Sequence, residues 1–307
     1  MNIVIYGTGG VGGYFGARLE QAGNKVTFIA RGKHLKAIKQ NGLQLKSIKG
    51  NYLVHPANAV DSISKVKDIN LILIGVKTWQ LQEVAKEIKP HLGKNTMVIP
   101  LLNGVENQNI LCSVIDKKHV LGGLCKIVSM VEDYGVINHI SYEPTIVFGE
   151  LDNKKTKRAL KLEELFLKAG FKTNLSDDIQ TEIWTKFLFI TTVSGMGALT
   201  RSTIGEMLEN VEIKLLMYKT AEEVLAIAKA LHINLPENSI EKQFKIIESQ
   251  PYITTASLQR DIMEGKPSEL EAQNGTIVKL GEKLGVPTPI NSFIYNCLLP
   301  QEKRARE

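Results

Sequence analysis

In the first half of the chain, short unbroken apolar runs alternate with stretches whose apolar residues recur at helical spacing. Ile3–Tyr6, Lys25–Ala30, Leu71–Val76, Met97–Leu102 and Val120–Cys125 are strand-sized and rich in β-branched residues, and Val11–Gln21 between the first two is helical in period. Strand, helix and strand in repetition predict a parallel sheet with helices on both faces. The run Leu71-Ile72-Leu73-Ile74 has no polar side to show to water, which suits a strand covered on both faces. Segments around Leu43–Leu53 and Gly135–Glu150 are expected as antiparallel additions.

From about Asp177 the strand patterns stop. Long helical periodicities follow over Ile179–Leu199, Val211–His232, Ser239–Glu248, Ser268–Leu284 and Ile290–Leu299, punctuated by Pro236, Pro251, Pro287 and Pro289. The expected architecture is an α/β Rossmann-type doubly wound sheet over residues 1–175, followed by an all-α C-terminal domain over residues 176–307. A chain of 307 residues is long enough for two such domains.

Composition narrows this only a little. With 43% hydrophobic and 23% charged residues, the chain is neither a disordered, collagen-like nor disulfide-scaffold sequence. No apolar run reaches the ~18 residues of a membrane span, and the chain opens directly into a strand pattern, so a cytoplasmic enzyme is expected. The 3 cysteines and 6 histidines lack metal-ligand spacing, and no metal is expected.

Charge adds more. The net charge is +6, yet residues 21–60 alone hold seven basic side chains (Lys25, Arg31, Lys33, Lys36, Lys39, Lys46, Lys49) and no acid. Such a block attracts an anion, either nucleic acid or a phosphorylated small molecule. No aromatic side chain lies among the lysines from Lys33 to Lys49 to stack bases, which favours the small molecule.

The candidate chemistry begins at Gly7-Thr8-Gly9-Gly10-Val11-Gly12. This G-x-G-x-x-G pattern leaves a strand and opens a helix within one βαβ unit, the context that makes it a dinucleotide fingerprint. Gly7 would make the tight turn, Gly9 would let the backbone approach a pyrophosphate, and Gly12 would allow close packing of helix on strand. At the end of the second strand stands Arg31, where an NAD site usually places an acid; a guanidinium suits a 2′-phosphate, and NADP is expected over NAD. Lys33 or Lys36 would add charge.

Lys77 and Asn103 lie just past the carboxyl ends of two further strands, where open α/β sheets bind ligands. On spacing alone Lys77 is more often a solvated loop lysine and Asn103-Gly104 more often a plain turn, and Trp79 reads as packing. Lys186 is a single cation inside the apolar run Ile183–Ile190, so it either snorkels to water or faces a site. Ser268 reads as a helix N-cap with Glu269 in the first turn, which accounts for that acid without catalysis.

Taken together, the glycine loop, Ala30-Arg31-Gly32, Val76-Lys77-Thr78-Trp79-Gln80, Leu101-Leu102-Asn103-Gly104, Trp184-Thr185-Lys186 and the block from Ser257 through Asp261 to Gly265-Lys266-Pro267-Ser268-Glu269 resemble the ketopantoate reductase (2-dehydropantoate 2-reductase) family over essentially the whole chain. The resemblance implies NADPH-dependent reduction of a 2-keto acid on the route to pantothenate and coenzyme A. It implies that Lys186 donates a proton to the substrate oxygen and that Asn103 and Lys77 line the nicotinamide side, with Asn103 also near substrate. Ser257 would hold the substrate's polar end, and Glu269 would sit near the nicotinamide ribose and the reacting centre. Gly7, Thr8, Gly9, Gly10, Val11, Gly12 and Arg31 would bind the rest of the cofactor.

Members of the family tend to carry asparagines four and eight residues after the lysine. Here those positions are Ile190 and Ser194. Thr191 or Ser194 would then supply the missing hydrogen bond, or the substrate is another, less polar 2-oxo acid. The other readings are a non-catalytic NADP(H)-binding regulator and a nucleic-acid binder. No nucleic-acid or membrane partner is expected, and a homodimer is kept open.

Overall fold

The computed structural model describes residues 1–307 as two compact units, Met1–Leu102 with Glu106–Ile179, and Asn103–Val105 with Gln180–Glu307. The first unit contains β1 (Asn2–Tyr6), α1 (Gly10–Gln21), β2 (Lys25–Ile29), α2 (Gly32–Asn41), β3 (Leu43–Ser47), β4 (Tyr52–Val54), β5 (Ala59–Val60), β6 (Leu71–Ile74), α3 (Leu81–Ile88), β7 (Met97–Pro100), α4 (Asn107–Cys112), β8 (Leu121–Asp133), β9 (Val136–Glu150), α5 (Lys157–Lys168) and β10 (Lys172–Leu175). Five strands form a parallel sheet in the order β5-β2-β1-β6-β7. The chain steps outward from β1 on one side, then crosses to β6 on the other, so the strand order reverses between β1 and β6. In open α/β sheets such a switch point is where ligands bind.

Alternation along these strands feeds two cores. Ile3 and Ile5 of β1 and Leu71 and Leu73 of β6 pack with α1, α2 and α5, whereas Val4, Tyr6, Ile72 and Ile74 pack with α3 and α4. Both faces are therefore dry, as the continuous apolar runs require.

One expected strand belongs elsewhere. Val120–Cys125 is not a fifth long parallel strand; Val120 makes an isolated bridge to Val98, and the rest opens β8, which runs antiparallel to β9 in a second sheet. A short apolar run shows that a strand is buried, not which sheet takes it. The additions around Leu43–Leu53 and Gly135–Glu150 are present in this second sheet, where β3 and β4 are antiparallel. β9, however, is parallel to both β3 and β10.

The second unit is helical: α6 (Ile179–Thr200, entering from the first unit), α7 (Ile204–Glu209), α8 (Val211–Ala230), α9 (Ser239–Glu248), α10 (Ser257–Met263), α11 (Thr276–Leu284) and α12 (Pro289–Arg306). Residues 191–198 of α6 are buried on every side, which marks a central helix. No helix is long and apolar enough to cross a membrane.

The helix expected over Ser268–Leu284 starts at Glu271, and its first five residues, Glu271–Gly275, form a π-helical turn that runs directly into α11. Such turns are uncommon and recur at functional sites. Asn274 in this turn packs on Gly195 of α6, where a Cβ would lie 2.8 Å from the amide nitrogen of Asn274. The same nitrogen donates to Asn291 Oδ1 at 2.9 Å, and the backbone N–H groups of Ile290 and Asn291 donate to the carboxylate of Glu223. A buried acid from α8 thus caps the N-terminus of α12, where the helix dipole favours a negative charge. α12 also runs past the expected Leu299 and through Pro300, because its last turns are tied down by tertiary contacts described below.

Candidate active site

The three glycines of the fingerprint meet three different demands. Gly7 has φ of +97°, and a Cβ there would sit 2.7 Å from Val76 Cγ1, so the turn excludes side chains. A Cβ at Gly12 would overlap the carbonyl oxygen of Gly7, so α1 can approach β1 only without one. At Gly9 a Cβ would meet nothing within 4 Å; the backbone there faces open space that a pyrophosphate can enter. The loop therefore fits a dinucleotide.

Thr8 is not at the surface. Its hydroxyl donates to Ile29 O at 2.9 Å and its N–H to the same oxygen at 3.2 Å, fastening the loop to the end of β2. His34 of α2 completes the fastening: its Nε2 donates to Thr8 O at 2.8 Å, and its Nδ1 accepts the N–H of Gly135 at 3.0 Å. Burial holds the imidazole below its ordinary pKa of 6.5, in keeping with the neutral tautomer these bonds need. Nothing local in the sequence marks His34. Gly10 lies against the Ser129 carbonyl of β8, and Val11 packs on the core.

Arg31 occupies the N-cap position of α2, and its side chain is 67% exposed. The basic block around it is less positive in space than in sequence. Arg31 pairs with Glu87, Lys46 with Glu132 and Lys49 with Glu143, all acids far away in the chain. Lys77 follows β6, with Nζ 5.9 Å from the ring centroid of Trp79. Trp79 is exposed rather than packed, a correction to its expected role: the short helical turn at Thr78–Gln80 buries none of its residues.

In the helical unit, three residues distant in sequence form one hydrogen-bonded chain. Lys186 Nζ on α6 donates to Asn103 Oδ1 at 2.8 Å, and Asn103 Nδ2 donates to Glu269 Oε2 at 2.9 Å. The amide thus stands between an ammonium and a carboxylate, accepting from one and donating to the other. Lys186 therefore does more than snorkel, and Glu269, only 6% exposed, does more than serve a helix dipole. An ammonium held in this way can stabilise developing negative charge on a substrate oxygen and then protonate it.

Ser268 supports this arrangement from below. Its Oγ accepts the N–H of Leu270 at 3.2 Å, as an N-cap should, and donates to Glu302 Oε2 at 2.5 Å. Its N–H also donates to the Glu302 carboxylate, while Arg306 donates to Ser268 O at 3.0 Å. Glu302 and Arg306 thereby fix the residue that precedes Glu269, and no short-range signal announced them.

Ser194 is completely buried, and its hydroxyl has no hydrogen-bond partner in the protein; the same holds for Thr191. Their neighbours behave otherwise. Thr185, Thr192 and Thr200 on the same helix each donate to the carbonyl four residues earlier, at 2.7, 2.7 and 2.9 Å. A buried hydroxyl left unpaired costs about 1–3 kcal/mol. Ile190 is half-buried on the Lys186 face, and Ser257 opens α10, half-buried and outside the hydrogen-bonded chain.

A Rossmann-type sheet with a glycine-loop switch point, joined to a helical unit carrying a lysine, an amide and a carboxylate, defines an oxidoreductase class. The chain belongs to the ketopantoate reductase family: residues 3–153 match the family profile "Ketopantoate reductase PanE/ApbA" and residues 178–302 match its C-terminal counterpart. The uncharacterized oxidoreductase YkpB of Bacillus subtilis (strain 168) is 30% identical over 295 residues, spanning 96% of this chain and 97% of that protein. The 2-dehydropantoate 2-reductase of Nostoc sp. (strain PCC 7120) is 27% identical over 300 residues, 96% of this chain and 93% of its own length. The crystal structure of a PanE/ApbA family ketopantoate reductase from Ralstonia eutropha JMP134 superposes with a TM-score of 0.92 at 28% identity, covering 100% of both chains.

Proposed function

We propose that this chain reduces 2-dehydropantoate (ketopantoate) to pantoate with NADPH, a step of pantothenate and coenzyme A biosynthesis. The observation that carries the reading is the Lys186–Asn103–Glu269 chain, which sets a proton-donating ammonium in a family that reduces 2-oxo acids. The glycine loop at Gly7, Gly9 and Gly12 would hold the pyrophosphate, with Thr8, Gly10 and Val11 shaping it. Arg31 would take the 2′-phosphate, and Lys77, Asn103 and Glu269 would face the nicotinamide end. When bound, the dinucleotide supplies the hydride that adds to C2 of the substrate.

Lys186 stabilises the negative charge that builds on the C2 oxygen and donates the proton that makes the hydroxyl. Asn103 orients the ammonium through its Oδ1 and is itself oriented by Glu269. Ser257 holds the polar end of the substrate. The unpaired hydroxyl of Ser194, eight residues after Lys186, is a group that a substrate hydroxyl would satisfy.

Ile190 supports a second reading. An isoleucine on the lysine's helix face cannot hydrogen-bond a substrate hydroxyl, which favours a less polar 2-oxo acid. The loss of NADPH absorbance with ketopantoate and with a panel of other small 2-oxo acids, each repeated with NADH, separates the two. Efficient ketopantoate turnover with NADPH is the expected result. Turnover confined to another acid moves the assignment to the second reading, and no turnover of any acid refutes both.

A further inference from the structure

We propose that Glu87 sets the cofactor preference of this chain, as the counter-ion that a 2′-phosphate must displace from Arg31. The inference rests on the assignment of Arg31 to that phosphate. Glu87 lies in the last turn of α3, beside the buried residues Val84, Ala85 and Ile88, so its backbone is fixed by the core. One carboxylate oxygen accepts the hydroxyl of Tyr6, the last residue of β1 and the one just before the glycine loop. The other faces a terminal nitrogen of Arg31 at 3.4 Å. The acid is therefore held from behind by a buried tyrosine and presented to the arginine at the rim of the dinucleotide site. Burial and the carboxylate together push the Tyr6 hydroxyl up, so it stays a donor.

The contact itself is weak. It is a single long approach between an arginine 67% exposed and an acid 35% exposed. A phosphate offers the guanidinium two parallel hydrogen bonds and two charges, and so displaces the carboxylate readily. Displaced or not, Glu87 remains anchored to Tyr6 beside Arg31, and its charge would oppose a dianion bound by that arginine. A ribose 2′-hydroxyl meets no such opposition and can donate to the carboxylate. Arg31 and Glu87 thus pull in opposite directions, and selectivity is the balance between them rather than a property of the arginine alone. The sequence offered no hint, because the acid arrives from 56 residues downstream.

Fluorescence titration of NADPH and NADH binding to the wild type, Glu87→Gln and Arg31→Ala tests this without turnover. Glutamine keeps the hydrogen bond to Tyr6 and removes the charge. The expected result is a Kd for NADPH lowered about three- to ten-fold in Glu87→Gln, with NADH binding unchanged or slightly weaker. Unchanged NADH binding also shows that the variant is folded. Equal changes for the two cofactors, no change for either, or weaker NADPH binding in Glu87→Gln overturn the role of Glu87. Arg31→Ala separates this from the cofactor reading. If it weakens NADPH selectively while Glu87→Gln has no effect, only the inference fails. If it weakens both cofactors equally, the phosphate assignment fails and the counter-ion role falls with it.

Discussion

The glycine loop and the Lys186–Asn103–Glu269 chain are both small constellations, built by opposite means. The loop falls within six consecutive residues and works through its backbone: one residue with positive φ, one open approach and one close packing. The helical-unit site works through side chains 83 and 166 positions apart, each with a bland local explanation. The loop's chemistry is written in spacing, whereas the other site exists only once three elements have been packed together. A substitution in the loop should therefore act through shape, and one in the side-chain site through charge and hydrogen bonding.

The sharpest break between them is Lys186→Ala. Turnover should fall by about 10²–10⁴ while the dinucleotide Kd stays nearly unchanged. Parallel stopped-flow and binding measurements check this, and little loss of rate would end the lysine's assignment.

Within the loop, Gly12→Ala and Gly9→Ala should differ from each other. The first forces a Cβ into the Gly7 carbonyl and should lower stability by about 1–3 kcal/mol along with dinucleotide affinity. The second points into open space and should weaken the dinucleotide while leaving the melting midpoint alone. Equal destabilisation of both variants would contradict the separate roles.

Ser194→Ala sharpens the side-chain half of the contrast. Removing an unpaired buried hydroxyl should leave stability unchanged or higher and raise KM about three- to ten-fold. Thr192→Ala, which loses a bond to Leu188 O, should instead lower stability by about 0.5–1.5 kcal/mol and spare KM.

The smallest effect is in acid. The imidazole of His34 is held below 6.5 in the folded chain. The unfolded chain therefore takes up the proton first as the pH falls, so stability declines from about pH 6.5 downward and is unaffected by this group above it. Melting midpoints across that range should fall less steeply in His34→Gln than in the wild type.

Much of this molecule was legible beforehand, for reasons that differ by element. β1, β2, β6 and β7 are short dry runs between turn signals, and the end of the strand patterns near residue 175 matches β10 as the last strand. Val120–Cys125 reads as a strand of the parallel sheet but lies mostly in the second one, because apolar periodicity carries no address. The π-helical turn that opens into α11 and the continuation of α12 through Pro300 depend on contacts made in space, Asn274 against Gly195 and Ser268 with Glu302. The same limit applies to charge. The acid-free block from residue 21 to 60 looked strongly positive until Glu87, Glu132 and Glu143 folded against it.

Asn103–Val105 is part of the helical unit although the residues on both sides of it belong to the α/β unit. A chimera with one crossover near residue 179 takes its lysine and acid from one parent and the amide between them from the other. Such a hybrid would inherit two intact folds and a mismatched triad. Shuffling experiments, and natural gene fusions of this family, should succeed most often when the three-residue loop travels with the distant half of the gene.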